Sequence, residues 1–513
     1  MGEALLGIDI GTTNAKAALF DTANALLGEA QQEYPTAYPH PGWAEQAPEA
    51  WWGATVSIVR RILEVTPVAP KDIAAISVSS QAPTALPVDE QGAALYPALI
   101  WMDRRSEPQC VRLRQTVDAH RLLTINGNRI DPYFAAPKML WLLENEPEMA
   151  DRARFFLQAN GYINLKLTGR FTIDASHASL VQCFDMALGD WSDELASLLE
   201  IPRRLLPPVS RCTDVIGGVS AEAARATGLL EGTPVVAGAV DGVAAALEAG
   251  VVASGEAVEM TGTSTVLLIC VDRPPRQPAL VALAHAVPDS YLLVGAMVST
   301  GATLRWFRDE LGTAGLNAAR LAGRSAYRIM DQEAEKAPPG AGGLLFLPYM
   351  MGERSPIWNT DARGVLFGLS LATKRAQIIR AFLEGAAYGL RHNVEVAEET
   401  GVHIHALWSV GGGARSAVWS QIKADVLGRP IDVPDTPIGA VMGDALLAGA
   451  GAGVYPDLAA AARSVPRVCT RYEPRETART CHDDMYRLYR RLYAANKLLF
   501  SELARSSPGE DSE

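Results

Sequence analysis

Two short hairpins, one in each half of the chain, have turns built from glycine and hydroxyl residues. The first half opens with an apolar strand over residues 4–10, and the turn Gly11-Thr12-Thr13 follows directly. The second half repeats this pattern with a strand over 256–260 and the turn Thr261-Gly262-Thr263-Ser264. Since glycine permits a close backbone approach that a side chain would block, such turns can face a ligand. The repeat predicts a duplicated core whose two hairpins face a shared cleft.

Strand and helix patterns alternate along the rest of the chain, which is typical of the α/β class. Apolar runs over 73–79 and 407–410 predict further strands, with helical spacing of apolar residues between such runs. A domain boundary is expected near 246–254, just ahead of the second hairpin. The predicted division is a first domain over 1–248, a second over 249–505, and a disordered tail over 506–513.

Charge and cysteine usage exclude several classes of function. The net charge is −12 and no Lys/Arg run is present, so nucleic acid is not expected as a partner. The six cysteines form no C-x-x-C pair, which argues against a zinc site and a disulfide framework and favours a cytoplasmic setting. The most apolar stretches, around 234–253 and 437–454, are Ala/Gly-rich and interrupted by acids, so we expect buried elements and not membrane spans.

Asp9 stands at the end of the first strand, beside the first glycine–threonine turn. A carboxylate in this position can hold a hydrated Mg²⁺, while backbone N–H and hydroxyl groups of the turn bind phosphate oxygens. The alternative is a plain hairpin turn, in which Asp and Gly are common for local reasons.

Asp241 follows an apolar strand and precedes a helix of small residues. Ligands of α/β folds bind at such strand-to-helix junctions. An Asp there can accept the proton of an attacking hydroxyl, as phosphoryl transfer to an alcohol requires. The equally open alternative is that Asp241 caps the helix that follows.

Two further motifs carry candidate ligand contacts. The first is Gly411-Gly412-Gly413-Ala414-Arg415-Ser416, whose three glycines would let a flat ring lie against the backbone at a helix start. Arg415 could stack on that ring. The alternative is that the glycines serve only the packing of the loop. Trp101 and Asp103 stand together after another short strand, a grouping that suits a sugar. The Trp face stacks on sugar C–H groups and the acid binds hydroxyls.

In combination and order, these motifs resemble those of the FGGY family of carbohydrate kinases, with its xylulokinase members most similar. The resemblance extends over about residues 4–450 and includes further stretches at 38–46, 127–128, 136–138 and 351–356. It implies a two-domain actin-like, ribonuclease-H-like ATPase fold with an interdomain cleft. It also implies ATP and Mg²⁺ as cofactors and a small sugar or polyol as substrate.

The resemblance assigns roles to individual residues. Asp241 is implied as the catalytic base, and Asp9, mainly through water, and Asp241 as the Mg²⁺ site. ATP phosphates are implied to bind Gly11, Thr12, Thr13, Gly262, Thr263 and Ser264. Adenosine is implied to bind Gly411, Gly412, Gly413, Ala414, Arg415 and Ser416. The sugar is implied to contact Gln81, Ala82, Pro83, Trp101, Asp103 and Asp241.

Two departures affect the substrate expected from the resemblance. Xylulokinases have Gln-Met-His-Gly where this chain has Gln81-Ala82-Pro83-Thr84, and Asn where it has Gly242. Both changes remove hydrogen-bonding groups on the sugar side and leave the nucleotide side intact. We therefore expect a ketopentose kinase, with a ribulose, erythritol, glycerol or gluconate type as alternatives.

Two readings without sugar phosphorylation stay open at this point. Actin-like folds also serve as nucleotide-dependent scaffolds or chaperones, and the lost sugar-side groups are compatible with a sugar-sensing pseudokinase. Asp241 and the Trp101–Asp103 pair argue against the first, and the intact phosphate loops argue against the second. A homodimer is expected only because family members often form one.

Overall fold

The computed structural model describes residues 4–313, 315, 317, 323–435 and 439–506. Of the tail predicted over 506–513, all but Ser506 lies outside the described residues. Two mixed β-sheets, each covered by helices, form the frame of the molecule.

The first sheet has six strands in the order β5-β6-β4-β1-β2-β3. Its strands are β1 Ala4–Ile10, β2 Asn14–Asp21, β3 Leu26–Glu33, β4 Ile73–Ser80, β5 Val215–Gly218 and β6 Pro234–Val236. β1, β2 and β3 form an antiparallel meander, whereas β4 and β6 run parallel to β1. The first predicted hairpin is therefore confirmed as β1–β2.

The second sheet has seven strands in the order β9-β10-β8-β7-β11-β12-β13. Its strands are β7 Glu256–Thr261, β8 Thr265–Val271, β9 Val281–Ala284, β10 Tyr291–Met297, β11 Ala406–Val410, β12 Ile431–Pro434 and β13 Cys469–Tyr472. β7 pairs with β8 in an antiparallel hairpin and with β11 in parallel. The arrangement β3-β2-β1-β4-β6 of the first sheet thus recurs as β10-β8-β7-β11-β12, which is the predicted duplication.

Helices cover both sheets. They are α1 Pro48–Val65, α2 Glu107–Thr116, α3 Ala119–Asn126, α4 Ala135–Asn145, α5 Pro147–Arg152, α6 Ala159–Thr168, α7 Ala175–Ser179, α8 Asp193–Leu198, α9 Ala221–Thr227, α10 Asp241–Glu248, α11 Thr300–Trp306, α12 Ala326–Ala334, α13 Arg375–Glu398, α14 Ala417–Leu427, α15 Val441–Gly451, α16 Leu458–Ser464 and α17 Glu476–Ser506. None of the helices in the described part of the chain has the length and apolar character needed to cross a bilayer.

Short elements complete the structure. Two-stranded pairs join Glu45–Gln46 with Ala98–Leu99, Leu86–Val88 with Phe155–Leu157, Ile173–Asp174 with Val209–Ser210, Phe184–Asp185 with Asp190–Trp191, and Leu345–Leu347 with Val365–Phe367. Tight 3₁₀ turns occupy Pro70–Asp72, Arg203–Leu205, Pro339–Gly343 and Gly412–Arg415, and a π-helical turn occupies Phe307–Leu311.

Helix α15 connects the two halves, because it lies late in the chain and packs on β1 and β4 of the first sheet. Glycines permit this contact: a Cβ at Gly7 would lie 2.1 Å from Val441 O, and one at Gly443 would lie 1.9 Å from Ala244 O. Both neighbours are backbone atoms, which cannot avoid the clash by a change of rotamer as a side chain could. The two Ala/Gly-rich stretches are therefore buried elements, as predicted, and they supply α10 and α15 at the centre of the molecule.

We predict that Gly443→Ala destabilises the protein, since the added methyl group forces α15 away from α10. Overpacking of this kind costs about 1–3 kcal/mol of unfolding free energy. Urea unfolding would measure the loss. The control is Gly53→Ala, at an exposed position of α1 where nothing lies within 4 Å of the new Cβ. There the substitution should stabilise by about 0.5–1 kcal/mol, because Ala is the better helix former. Equal effects of the two substitutions would contradict the packing argument.

Candidate active site

Asp9 lies near the carboxyl end of β1 and pairs in register with Ser79 of β4 and Lys16 of β2. The Ser79 hydroxyl is 3.4 Å from Asp9 Oδ1 and donates a hydrogen bond of 2.7 Å to Asp444 Oδ2. Burial and the nearby charge of Asp241 raise the pKa of Asp9 to about 7. Asp9 therefore changes protonation close to neutral pH, and a cation placed beside it would favour its ionised form.

Asp241 is the first residue of α10 and follows the end of β6 by five residues. The N-cap position belongs to Val240, and the Asp241 side chain accepts a hydrogen bond of 2.6 Å from the N–H of Gly242. Burial raises the pKa of Asp241 to about 6, against the lowering effects of that hydrogen bond and of His177. Asp241 is thus a carboxylate above pH 6 that gains a proton readily, as a general base must.

The first glycine–threonine turn presents unused donors. Hydrogen bonds hold it in place from both sides: Gly11 N–H donates to Asn14 O at 3.0 Å, and the Gln46 side chain donates to Thr12 O at 2.7 Å. Within the described ranges, no group accepts a hydrogen bond from the N–H of Thr12 or Thr13. Two adjacent free N–H groups form an anion-binding concavity of the type that phosphates occupy.

The second turn has the same property. Gly262 N–H donates to Ser264 O at 2.8 Å, whereas the N–H groups of Thr263 and Ser264 have no acceptor in the part of the chain that the structure describes. Helix α11 packs directly on the turn, since a Cβ at Gly301 would lie 2.0 Å from Gly262 O. Arg305 of the same helix donates to the Thr263 hydroxyl at 2.8 Å. A cation therefore lies beside the second candidate phosphate loop.

A buried ion pair between β7 and α14 stabilises this second turn. Glu259 of β7 and Lys423 of α14 are both almost fully buried and bonded to each other. Glu259 also accepts a hydrogen bond of 2.6 Å from the Thr261 hydroxyl, which contacts Thr265 at 2.8 Å. Since α14 follows the glycine-rich loop, this network links the loop to the turn.

The glycine-rich loop comes close to the second turn. A Cβ at Gly411 would lie 2.7 Å from Thr261 O, and one at Gly413 would lie 2.6 Å from Thr261 Cγ2. Gly412, by contrast, has no atom within 4 Å of its would-be Cβ, and Arg415 is exposed. The loop is completed by Ala414, which is buried, and by Ser416, whose hydroxyl caps α14. One side of the loop is therefore packed and the other open, which leaves room for a planar ring.

The residues predicted for the sugar side lie together at the end of β4. Gln81 is almost fully buried, and its Nε2 donates to Gln46 Oε1 at 2.6 Å, while its own Oε1 has no hydrogen-bond partner among the described residues. Ala82 and Pro83 follow, and Ala82 O accepts a hydrogen bond of 3.3 Å from Tyr133. Trp101 Nε1 donates to the Thr12 hydroxyl at 3.0 Å, so this group adjoins the first turn.

Asp103 differs from its neighbours because its carboxylate is already engaged. It is fully buried, forms a salt bridge of 2.8 Å with Arg105, and accepts a hydrogen bond of 2.7 Å from Ala44 N–H. Direct contact with a sugar would require Asp103 to share these bonds. The geometry favours support of the Trp101 turn, and the predicted sugar contact of Asp103 stays a prediction.

Comparison with known proteins assigns this arrangement to a family. The model of the N-terminal domain of the FGGY family of carbohydrate kinases matches residues 4–248, and that of the C-terminal domain matches residues 257–452. This chain belongs to the FGGY family. It is accordingly an ATP-dependent kinase that phosphorylates a hydroxyl of a carbohydrate, and the predicted actin-like fold is confirmed.

Individual relatives of this kinase span nearly its whole length. It is 30% identical to the xylulose kinase of Bacillus subtilis over 501 residues, which cover 97% of this chain and 98% of that protein. It is 32% identical to the gluconokinase of the same organism over 450 residues, 87% of each chain. The crystal structure of xylulose kinase from Rhodospirillum rubrum superposes with a TM-score of 0.89 at 31% identity, covering 97% and 100% of the two chains.

Sequence reasoning missed several residues that lie around the candidate site. Tyr133 and Arg354 contact the sugar side from distant segments, and Ser79 and Asp444 stand behind Asp9. Arg354 falls in the stretch 351–356, where the resemblance to the family implies no role for an individual residue. The only local indication for Ser79 is its position at the end of a predicted strand. No local pattern indicates Tyr133.

Asp444 adds a third carboxyl group to the acids of the kinase site. It is fully buried on α15, and its Oδ1 has no partner in the described residues. Burial and the charges of Asp9, Glu248 and Asp241 raise its pKa well above the ordinary value, against the hydrogen bond from Ser79. Asp444 is therefore protonated at pH values where an exposed Asp is ionised.

We predict that Asp444→Asn stabilises the ligand-free kinase progressively as pH rises. A raised folded-state pKa means that the native protein binds a proton that the unfolded chain has lost above its pKa of about 3.9. The contribution of protonated Asp444 to the free energy of unfolding is fully present below that pH. Above it, this contribution falls as pH rises, by up to about 1.4 kcal/mol per pH unit. Urea unfolding from pH 5 to 8 should show the variant gaining on the wild type. Asp151→Asn, at an exposed position of α5, is the control. A constant difference across this range would contradict the protonation argument.

Proposed function

We propose that this kinase transfers the γ-phosphate of Mg·ATP to a hydroxyl of a ketopentose, with Asp241 as the general base. One observation carries the proposal: each half has a glycine–threonine turn whose backbone N–H groups lack an acceptor among the described residues, and the first of these turns follows Asp9, which interacts with Asp241. The N–H groups of Thr12, Thr13 and Thr263 would bind phosphate oxygens from both sides. The relatives that are named xylulose kinases support a ketopentose as the acceptor. Residues 1–248 and residues 249–505 are proposed as the two domains.

The acids suit a magnesium ion. Asp9 and Asp241 supply hard carboxylate oxygens, and the charge of Asp241 disfavours the ionised form of Asp9, which a divalent cation would relieve. No group of three or more His, Cys, Asp or Glu side chains placed to hold a metal occurs in the described residues. Magnesium would therefore be held by one or two carboxylates, water and substrate phosphates, its usual mode. Bound there, it would neutralise charge on the transferring phosphate.

Each part of the site would contribute to transfer in a defined way. Asp241 would accept the proton of the attacking hydroxyl. The two turns and Arg305 would position the phosphates and stabilise their negative charge, which supplies most of the acceleration in phosphoryl transfer. Trp101 would bind the sugar face, and its bond to Thr12 would keep the sugar and the first phosphate loop in register. The loop at 411–416 would hold the adenine ring on its open side.

Replacing the base tests this assignment. We predict that Asp241→Asn folds normally and binds ATP, but loses about 10²–10⁴-fold or more in kcat, because a neutral amide cannot accept the proton. KM for ATP should change little. In the wild type, kcat/KM for the sugar should fall below pH 6, as Asp241 gains a proton. Unfolding curves control for structure, and near-normal turnover of the variant would remove Asp241 from catalysis.

The acceptor is tested by a panel of D-xylulose, D-ribulose, L-xylulose, L-ribulose, glycerol, erythritol and gluconate. Pro83 and Gly242 stand where xylulokinases have His and Asn, and each lost hydrogen bond costs about 0.5–1.5 kcal/mol, or 1.5–3 kcal/mol with a charged group. We therefore expect D-xylulose to be a substrate with kcat/KM about a hundredfold below that of the best sugar. A wide lead of D-xylulose would show that other groups compensate for these losses. Gluconate is included because gluconokinases are also relatives.

A further inference from the structure

Arg354 is held on the second half of the chain by a rigid loop. The buried side chain of Glu353 accepts hydrogen bonds of 2.8 Å from the N–H groups of Val298 and Arg354. The next residue, Ser355, donates its N–H to Ala296 O of β10 at 3.2 Å. The backbone of Arg354 is thus bonded to the end of the second sheet on both sides, and only its side chain projects.

That side chain reaches the sugar-side residues of the first half. Its guanidinium carbon lies 5.1 Å from the centre of the Trp101 ring and 5.8 Å from that of Tyr133. Both separations fall within the range of a cation–π contact. Tyr133 in turn is bonded to Ala82, at the end of β4. Arg354 therefore closes the group of residues around Gln81 and Trp101 from the opposite side of the cleft.

The guanidinium has an unused hydrogen-bonding group at this position. Nε of Arg354 is buried and has no acceptor among the described residues. A buried N–H without a partner is unfavourable, so a bound acceptor would relieve it. Two ion pairs nearby are complete without Arg354: Arg104 with Asp131 at 3.0 Å, and Asp103 with Arg105. Other buried atoms that lack a partner among the described residues include Gln81 Oε1 and Thr84 Oγ1 after β4, and Glu353 Oε2 next to Arg354.

We propose that Arg354 is a specificity-determining residue that donates hydrogen bonds to an oxygen of the bound sugar, away from the hydroxyl that receives the phosphate. This inference rests on the proposed function. A guanidinium only donates, so it selects an oxygen that accepts, either the carbonyl oxygen of a ketose or a hydroxyl oxygen. Because Arg354 comes from the second half, the sugar pocket is complete only when both halves are in place.

The first test compares Arg354→Ala and Arg354→Lys with wild type on the best sugar of the panel. We expect kcat/KM to fall about 10- to 150-fold in Arg354→Ala, mainly through KM for the sugar, with KM for ATP unchanged. Arg354→Lys should fall between the two, because it keeps the charge and loses the planar donor fork. Millimolar guanidinium ion should partly restore Arg354→Ala. The matched control is Arg363→Ala, an exposed arginine bonded only to nearby backbone oxygens, which should behave as wild type.

The second test removes the partner oxygen from the sugar. A deoxy analogue that lacks the contacted oxygen should be a poorer substrate than its parent for the wild type, but equally good for Arg354→Ala. Such non-additivity identifies a direct contact, which a purely structural role of Arg354 would not produce. A comparison of xylitol with D-xylulose distinguishes a contact to the carbonyl oxygen from a contact to a hydroxyl oxygen. If Arg354→Ala loses the preference of the wild type for the ketose, the contacted atom is the carbonyl oxygen. A preference retained, with sensitivity to a deoxy position, identifies a hydroxyl.

The outcomes separate this inference from the proposed function. If the wild type phosphorylates no sugar in the panel, the proposed function fails. If the wild type is active and Arg354→Ala, shown to be folded by its urea unfolding, stays within twofold of it on every sugar, the inference about Arg354 is wrong. A loss in kcat alone, with sugar KM and deoxy sensitivity unchanged, would also overturn it and assign the guanidinium to the transferring phosphate.

Discussion

The close packing of α15 against β1 and α10 is the contact on which the rest of the structure depends. It is possible only because Gly7 and Gly443 lack side chains where they meet backbone oxygens. The end of β1 carries Asp9 and the start of α10 carries Asp241, so the elements packed at this point carry the acids of the site. A small outward shift of α15 would change the depth of burial of both acids.

Burial at this junction also determines the chemistry that the acids can perform. An exposed Asp, with a pKa near 4, is a weak base at neutral pH, whereas burial raises the pKa of Asp241 to about 6. The same exclusion of water raises the pKa of Asp9 to about 7 and the pKa of Asp444 well above its usual range. In the absence of ligand, these buried carboxyl groups therefore lower the stability of the folded protein. A cation and substrate phosphates would reverse that electrostatic cost when they bind.

The sequence predicted the two glycine–threonine hairpins better than the surroundings of Trp101, for a physical reason. Turns such as 11–13 and 261–264 depend on local backbone geometry, which glycine and strand patterns reveal, and both hairpins are confirmed within one or two residues. Partners in space are not visible in this way. Asp103 was expected to bind sugar from its place beside Trp101, yet its charge is matched by Arg105 two residues away. Tyr133 carries no local signal at all.

The two sides of the site also differ in how freely their residues can change. Free N–H groups at Thr12 and Thr263 belong to the backbone, so their use requires a turn shape and not a particular side chain. The sugar side depends on side chains from at least three separate segments, including Trp101, Tyr133 and Arg354. Replacement of one of them leaves the hairpins intact and alters the pattern of donors and acceptors that a sugar meets. A change of substrate is therefore possible in this fold without any change in the phosphate loops, which is the situation that Pro83 and Gly242 present.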